Sequence, residues 1–171
     1  MKIKVKLFNK LCKFEIIDKG EWIDLRAAKG VSFEPPYALT LSKNRTVRNV
    51  IFDSKMIPLG IGMKLPKGYE AVLNPRSGTF KTFGIIMQNS QGVIDHTYSG
   101  PLDQWHFPAV CIKAGETIVE GDRICQFKIQ LSQKATIWQK IKWLFTNKIE
   151  FEFVDDYEGV NRGGFNSTGV K

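Results

Sequence analysis

Ile57-Pro58-Leu59-Gly60-Ile61-Gly62-Met63-Lys64-Leu65-Pro66-Lys67-Gly68 carries an apolar side chain at every second position from Ile57 to Leu65, then ends in turn residues. A period of two buries one face of a strand, whereas a helix needs a period of 3.6. The stretch is expected to run as one strand. Toward the N-terminus, Ile3, Val5 and Leu7 alternate with lysines in the same way. Toward the C-terminus, Glu70-Ala71-Val72-Leu73 reads as a strand, and so do Ile124, Phe127, Ile129 and Leu131, which follow the turn Glu120-Gly121-Asp122. Turn pairs recur between these runs, among them Lys29-Gly30, Pro35-Pro36, Asn74-Pro75 and Ala114-Gly115. Many short strands between such turns favour an all-β sandwich or barrel over an α/β fold.

One segment has another period. Ile137, Trp138, Ile141, Leu144 and Phe145 fall on a single helical stripe, with Lys140, Lys142 and Lys148 opposite. The default reading is a helix packed on its own domain by that stripe. A helix that docks a partner protein is a second reading. A membrane-surface helix is a third, for which the stripe is short.

Composition bounds the function. A chain of 171 residues suits one domain and can bury a core without disulfides. No apolar run approaches the ~18 residues of a membrane span, and the charged N-terminus is not a secretory leader, so a cytoplasmic protein without membrane contact is expected. Cys12, Cys111 and Cys125 are far apart, which predicts buried, reduced thiols rather than a zinc or redox pair. His96 and His106 show no ligand spacing and read as incidental. The net charge of +8 is spread along the chain. With no aromatic and basic platform, this argues against nucleic acid as a partner.

Five short constellations could carry chemistry. Asp24, in Trp22-Ile23-Asp24-Leu25-Arg26-Ala27, is flanked by apolar residues, which is odd for a solvated charge. Arg76-Ser77-Gly78 offers a guanidinium, a hydroxyl and a close backbone approach, all suited to an anion. Gly121-Asp122-Arg123-Ile124-Cys125-Gln126 points Gln126 away from Cys125 on a strand. Asn89 to Gly100 ends an apolar run at Asp95, with Tyr98 three residues on; Asp95 can be a turn former or a general base. The tail Arg162-Gly163-Gly164-Phe165-Asn166-Ser167-Thr168-Gly169 has phosphate-binding residue types but lacks the P-loop spacing.

Taken in order, these five resemble the motifs of the trimeric dUTPase family, in the versions of Gram-positive bacteria and their phages. Gly92-Val93-Ile94-Asp95-His96-Thr97-Tyr98-Ser99-Gly100 fits G-x-I-D-x-x-Y-x-G at every fixed position. Trp22 and Ile23 depart from the small residues usual before Asp24. Val160 stands where the arm usually has Arg, and Asn166 where it has Gly.

The resemblance implies a distorted jelly-roll (β-clip) domain over residues 1–159, with insertions near 36–54 and 133–154, the second holding one short helix. A glycine-rich arm over 160–171 would close over substrate. It implies a homotrimer with shared active sites, each arm crossing onto a neighbour. The implied reaction is hydrolysis of dUTP to dUMP and pyrophosphate, which keeps uracil out of DNA and supplies dUMP for thymidylate synthesis. Asp95, Gln126 and Arg76 would be catalytic. Ser77, Gly78, Asn89, Gly92, Ile94, Tyr98, Arg162, Gly164, Phe165, Ser167 and Thr168 would bind substrate. Mg²⁺ would be held by the triphosphate and water, with Asp24 reaching it through water. Two alternatives stand beside this: a dCTP deaminase, which shares the fold but whose catalytic segment has no match here, and a regulatory protein on the same scaffold that binds a partner through residues 134–149.

Overall fold

A computed structural model of the chain describes residues 1–16, 20–40, 48–146 and 148–164. The strands are β1 (Lys2–Leu7), β2 (Ile23–Arg26), β3 (Tyr37–Thr40), β4 (Arg48–Ile51), β5 (Ser54–Pro58), β6 (Ile61–Lys64), β7 (Tyr69–Pro75), β8 (Ile85–Met87), β9 (Gly92–Asp95), β10 (His106–Cys111), β11 (Arg123–Leu131) and β12 (Glu150–Val154). They form sheets in the orders β12-β1-β6, β5-β10-β8 and β2-β11-β7-β9, with β3 and β4 as a separate two-stranded ribbon. Two α-helices, α1 (Thr79–Phe83) and α2 (Ile137–Phe145), join them. Sequence periodicity led to α2 alone, because α1 is five residues long and shows no apolar stripe.

The stretch from Ile57 to Leu65 is buried at every alternate position, as its period demands. It is two strands, however, not one. β5 pairs with β10 and β6 pairs with β1, so the segment passes from one sheet to another. Gly60 makes the corner at φ +66°, where a Cβ would come within 2.6 Å of the Cys12 sulfur. Only glycine combines a left-handed backbone with that approach.

β11 shows why its apolar period slips between Ile124 and Phe127. Its register against β2 shifts between Arg123 and Cys125, a β-bulge that lets Ile124 and Cys125 both face inward. Beyond it, Phe127 and Ile129 are buried and Gln126 faces outward.

The chain ends meet in one sheet. β12 runs parallel to β1, setting Lys2 beside Glu150 and Lys4 beside Glu152. Adjacent opposite charges on one face help fix that register. The other face carries Phe151 and Phe153, whose rings lie 5.1 and 5.3 Å from Phe14. Residues 150–154, within the segment read as an insertion, therefore belong to the core sheet.

The helical stripe does not pack on the domain. Trp138, Leu144 and Phe145 are 76%, 81% and 83% exposed. The opposite side of α2 faces inward. Gln139 Nε2 donates to the Lys67 carbonyl at 2.7 Å, and the Trp143 ring lies 5.7 Å from Tyr69. A capping box between Thr136 and Gln139 starts the helix. Gln139 and Trp143 are four residues apart and share a face, so anchoring by this pair turns the apolar stripe outward.

All three cysteines are buried and unbridged, and burial pushes each thiol's pKa up. No helix among the described residues is long and apolar enough to cross a membrane.

Candidate active site

β9 lies antiparallel to β7, with Gly92 opposite Leu73 and Asp95 opposite Glu70. Asp95 ends the strand in the wall of a cavity of about 230 Å³, lined by Asn89, Gly92, Ile94, Asp95, Tyr98, Trp105, His106 and Pro108 and by Arg162, Gly163 and Gly164 of the tail, among others. Tyr98 Oη donates to the Gln104 carbonyl at 2.7 Å, which fixes its ring against the pocket.

The Asp95 carboxylate is tied on one oxygen. Oδ1 accepts from the Thr97 amide at 2.8 Å and the Thr97 hydroxyl at 2.5 Å, an Asx turn. Arg162 Nη1 donates to the Thr97 hydroxyl at 2.5 Å and stands 3.5 Å from Oδ1. Burial pushes the Asp95 pKa upward. The Thr97 bonds, the Arg162 charge and His96 outweigh it and hold the carboxyl below its ordinary value. Asp95 is an ionised acceptor that lines the pocket and stays partly open to solvent.

A second cluster forms across β2, β11 and β7, where Gln126 is paired with Asp24 on one side and Asn74 on the other. Asp24 Oδ1 accepts from Arg76 Nε at 2.7 Å and Oδ2 from Arg123 Nη1 at 3.1 Å. The buried Thr79 hydroxyl accepts from the Arg76 amide and donates to the Ile124 carbonyl, which pins the Arg76-Ser77-Gly78 turn to the sheet. Gln126 Nε2 lies 3.4 Å from the Pro75 carbonyl.

The structure thus brings the sequence-derived residues together as two groups rather than one. Asn89, Gly92, Ile94, Asp95, Tyr98, Arg162 and Gly164 share the pocket, while Asp24, Arg76 and Gln126 lie outside its lining. Glu70 joins them, facing both Asp95 and Gln130. Gln130 is four residues along β11 from Gln126, about 13 Å at roughly 3.3 Å per residue. Phe165, Ser167 and Thr168 lie outside the described residues.

Known proteins resemble this chain in sequence and fold. The dUTPase family pattern covers residues 35–142. A prophage-derived deoxyuridine 5'-triphosphate nucleotidohydrolase of Bacillus subtilis (strain 168) is 37% identical over 172 residues, spanning 100% of both chains. The chain belongs to the dUTPase family. Among solved dUTPases, that of Streptococcus mutans superposes with a TM-score of 0.62 at 15% identity, over 78% of this chain and 98% of its own. A dUTPase mutant from phage phi11 of S. aureus, described with a coordinated structural Mg(II) ion, gives 0.59 at 18%, over 79% and 94%. At those identities the solved dUTPases bear on the fold, which is their jelly-roll.

Sequence reasoning missed Trp105 and His106 in the lining of this pocket, and Thr97 and Asp103, which bond to its residues Asp95 and Arg162. His106, read as incidental, lines it with Nδ1 2.8 Å from the Gln104 carbonyl; burial holds its pKa below the ordinary value. Trp105 also lines it, is fully buried, and its Nε1 has no hydrogen-bond partner among the described residues. Thr97 orients Asp95, and its place two residues on is the usual Asx-turn spacing, so that signal was readable. Asp103 gave none.

Proposed function

We infer that this chain hydrolyses dUTP to dUMP and pyrophosphate, with Asp95 as the base that takes a proton from the attacking water. The observation that carries this is the placement of Asp95. It is ionised, its Oδ1 is fixed by Thr97, and it lines a pocket of nucleoside dimensions, where it can meet a water beside the phosphates of a bound nucleotide.

Asn89 and the backbone of Gly92, Ile94 and Asp95 read the uracil edge, since a strand end presents N–H and C=O groups that a pyrimidine can pair with. Tyr98, held by Gln104, packs on the deoxyribose and leaves no room for a 2′-hydroxyl. Arg76, Ser77 and Gly78 bind phosphate oxygens, and Gln126 places the water near the α-phosphorus. Phe165 covers the base, and Arg162, Gly164, Ser167 and Thr168 close on the outer phosphates. Alignment of water, phosphorus and leaving group supplies much of the acceleration in such a displacement.

The division of these residues into two clusters supports a homotrimer in which the Arg76 and Gln126 of one chain complete the Asp95 pocket of another. As far as Gly164, the arm runs over its own chain's pocket. The expectation that it crosses onto a neighbour rests on residues 165–171.

Among the described residues, no group of three His, Cys, Asp or Glu side chains is placed to hold a metal ion. The donor set instead fits Mg²⁺ held by the triphosphate and its own waters. Asp24 is a single carboxylate whose oxygens, already met by Arg76 and Arg123, keep lone pairs for a metal-bound water. Bound there, the ion neutralises triphosphate charge.

Pyrophosphate release from dUTP, dTTP, dCTP and UTP, with Mg²⁺ and with EDTA, tests the assignment. dUTP should be turned over far faster than the others, and EDTA should suppress it. Comparable turnover of UTP would remove Tyr98 from the sugar-gating role, and ammonia from dCTP would favour the deaminase alternative.

The outward stripe of α2 supports a second role, docking a partner protein by Trp138, Leu144 and Phe145. A Trp138→Ser, Leu144→Ser, Phe145→Ser chain should lose a protein that the unaltered chain retains in pull-down, with dUTP turnover unchanged. Equal retention by both chains would end this reading.

A further inference from the structure

Asp103 lies in the turn that follows Tyr98-Ser99-Gly100 and is only 3% exposed. Among the described residues, no lysine or arginine side chain pairs with it. Backbone N–H groups do so instead. Oδ2 accepts from Gly100 at 2.9 Å and Arg162 at 3.1 Å, and Oδ1 accepts from Arg162 at 3.1 Å and Gly163 at 3.2 Å. A buried carboxylate without such donors would be strongly disfavoured. Two of its three donor groups belong to the C-terminal arm.

The same turn holds the arm a second time. Asn161 Oδ1 accepts from the Leu102 amide at 2.7 Å, and Asn161 lies so close to Gly100 that a Cβ there would come within 2.4 Å of it. The negative charge is felt by its aromatic neighbours. The Tyr98 and Tyr157 phenols are pushed up, first by burial and then by Asp103, Tyr157 to about 12. With its backbone fixed here, Arg162 extends to the Thr97 hydroxyl and Asp95.

We propose that Asp103 is the positioning residue that seats the C-terminal arm, holding the Arg162 and Gly163 amides so that the Arg162 guanidinium arrives beside Asp95. Asp103 touches no substrate; it acts through the arm. This rests on the arm's proposed role in closing over the nucleotide, and the seat can be measured apart from that role.

The seat is read by limited trypsin digestion of the full-length protein. The Arg162–Gly163 bond is flanked by the two amides that Asp103 holds, so cleavage requires their release. Asp103→Asn keeps the size but removes the charge and turns an NH₂ toward donors. Cleavage at this bond should become at least about tenfold faster, the effect of losing one charge-assisted hydrogen bond. Cleavage elsewhere should be unchanged. Asn161→Ala, at an exposed position, should speed the same cut and serves if Asp103→Asn folds poorly. Equal cleavage of the variants and the unaltered chain would overturn the proposal.

A double-mutant cycle gives the link to catalysis. Asp103→Asn should lower kcat/KM in the full chain and change nothing further in a chain that ends at Asn161. Additive losses would show that Asp103 acts elsewhere and would overturn the proposal. If the shortened chain keeps full kcat/KM, the arm's role in catalysis falls instead, while the cleavage result still decides the seat.

Discussion

Asp95→Asn should fold, assemble and bind dUTP as the unaltered chain does, while kcat falls by roughly 10²–10⁴-fold, the usual contribution of a positioned general base. The substitution is nearly isosteric. Asn Oδ1 can still accept from the Thr97 amide and hydroxyl, so the strand end and the pocket keep their shape. What disappears is the oxygen that accepts a proton. The loss should therefore fall on kcat, with KM little changed. Near-normal turnover in this variant would remove Asp95 from the role of base.

The pH profile follows from the same contacts. Burial raises the Asp95 pKa, but Thr97, Arg162 and His96 lower it by more, so the folded value lies below the ordinary ~3.9. The base is then ionised at neutral pH and stays so as the pH falls toward that value. The acid limb of kcat/KM for the free enzyme should lie below it. The stabilising effect of these contacts has the same sign: complete above the unfolded-state pKa, and lost as the pH falls through the folded-state pKa. An acid limb above pH 5 would place the essential ionisation on another group.

Deletion of residues 162–171 should leave the proposed trimer intact and lower kcat/KM by roughly 10²-fold or more. Each charge-assisted hydrogen bond from the arm is worth about 1.5–3 kcal/mol, and Arg162 alone can form two to a phosphate. Assembly should survive because β12, the last strand among the described residues, ends at Val154 and its sheet lies upstream of the cut. Sedimentation would verify the trimer, and initial rates at low dUTP the loss. A truncated chain with full kcat/KM would show that the arm does not act as proposed.

Much of the fold was legible because period and burial coincide. Ile3 and Val5 are fully buried between lysines, and the alternate apolar residues from Ile57 to Leu65 are buried too. The corner at Gly60 was not legible, because side-chain alternation continues through it while the backbone changes sheets. α2 was readable as a helix, yet its orientation was not. An apolar stripe shows which residues share a face but cannot show that Gln139 and Trp143 anchor the opposite one. In the pocket, Asp95 and Tyr98 were legible through a spaced motif. Trp105 and His106 were not, since each reads locally as an ordinary strand residue. Asp103 lies beyond any local reading, because its partners at Arg162 and Gly163 are about sixty residues away in sequence.

The pairing of β1 with β12 also bears on how the protein is made. The first strand is held on one edge by residues near 61 and on the other by residues near 150. On a ribosome, β1 must therefore wait until residues 150–154 have been made before its sheet is complete. Loops of that length are slow to close, and non-local pairing of this kind sets a low folding speed. During that interval the other edge of β1 is open, and its alternating lysines discourage it from pairing with a second nascent chain. When Phe151 and Phe153 reach Phe14, β12 covers that open edge of β1.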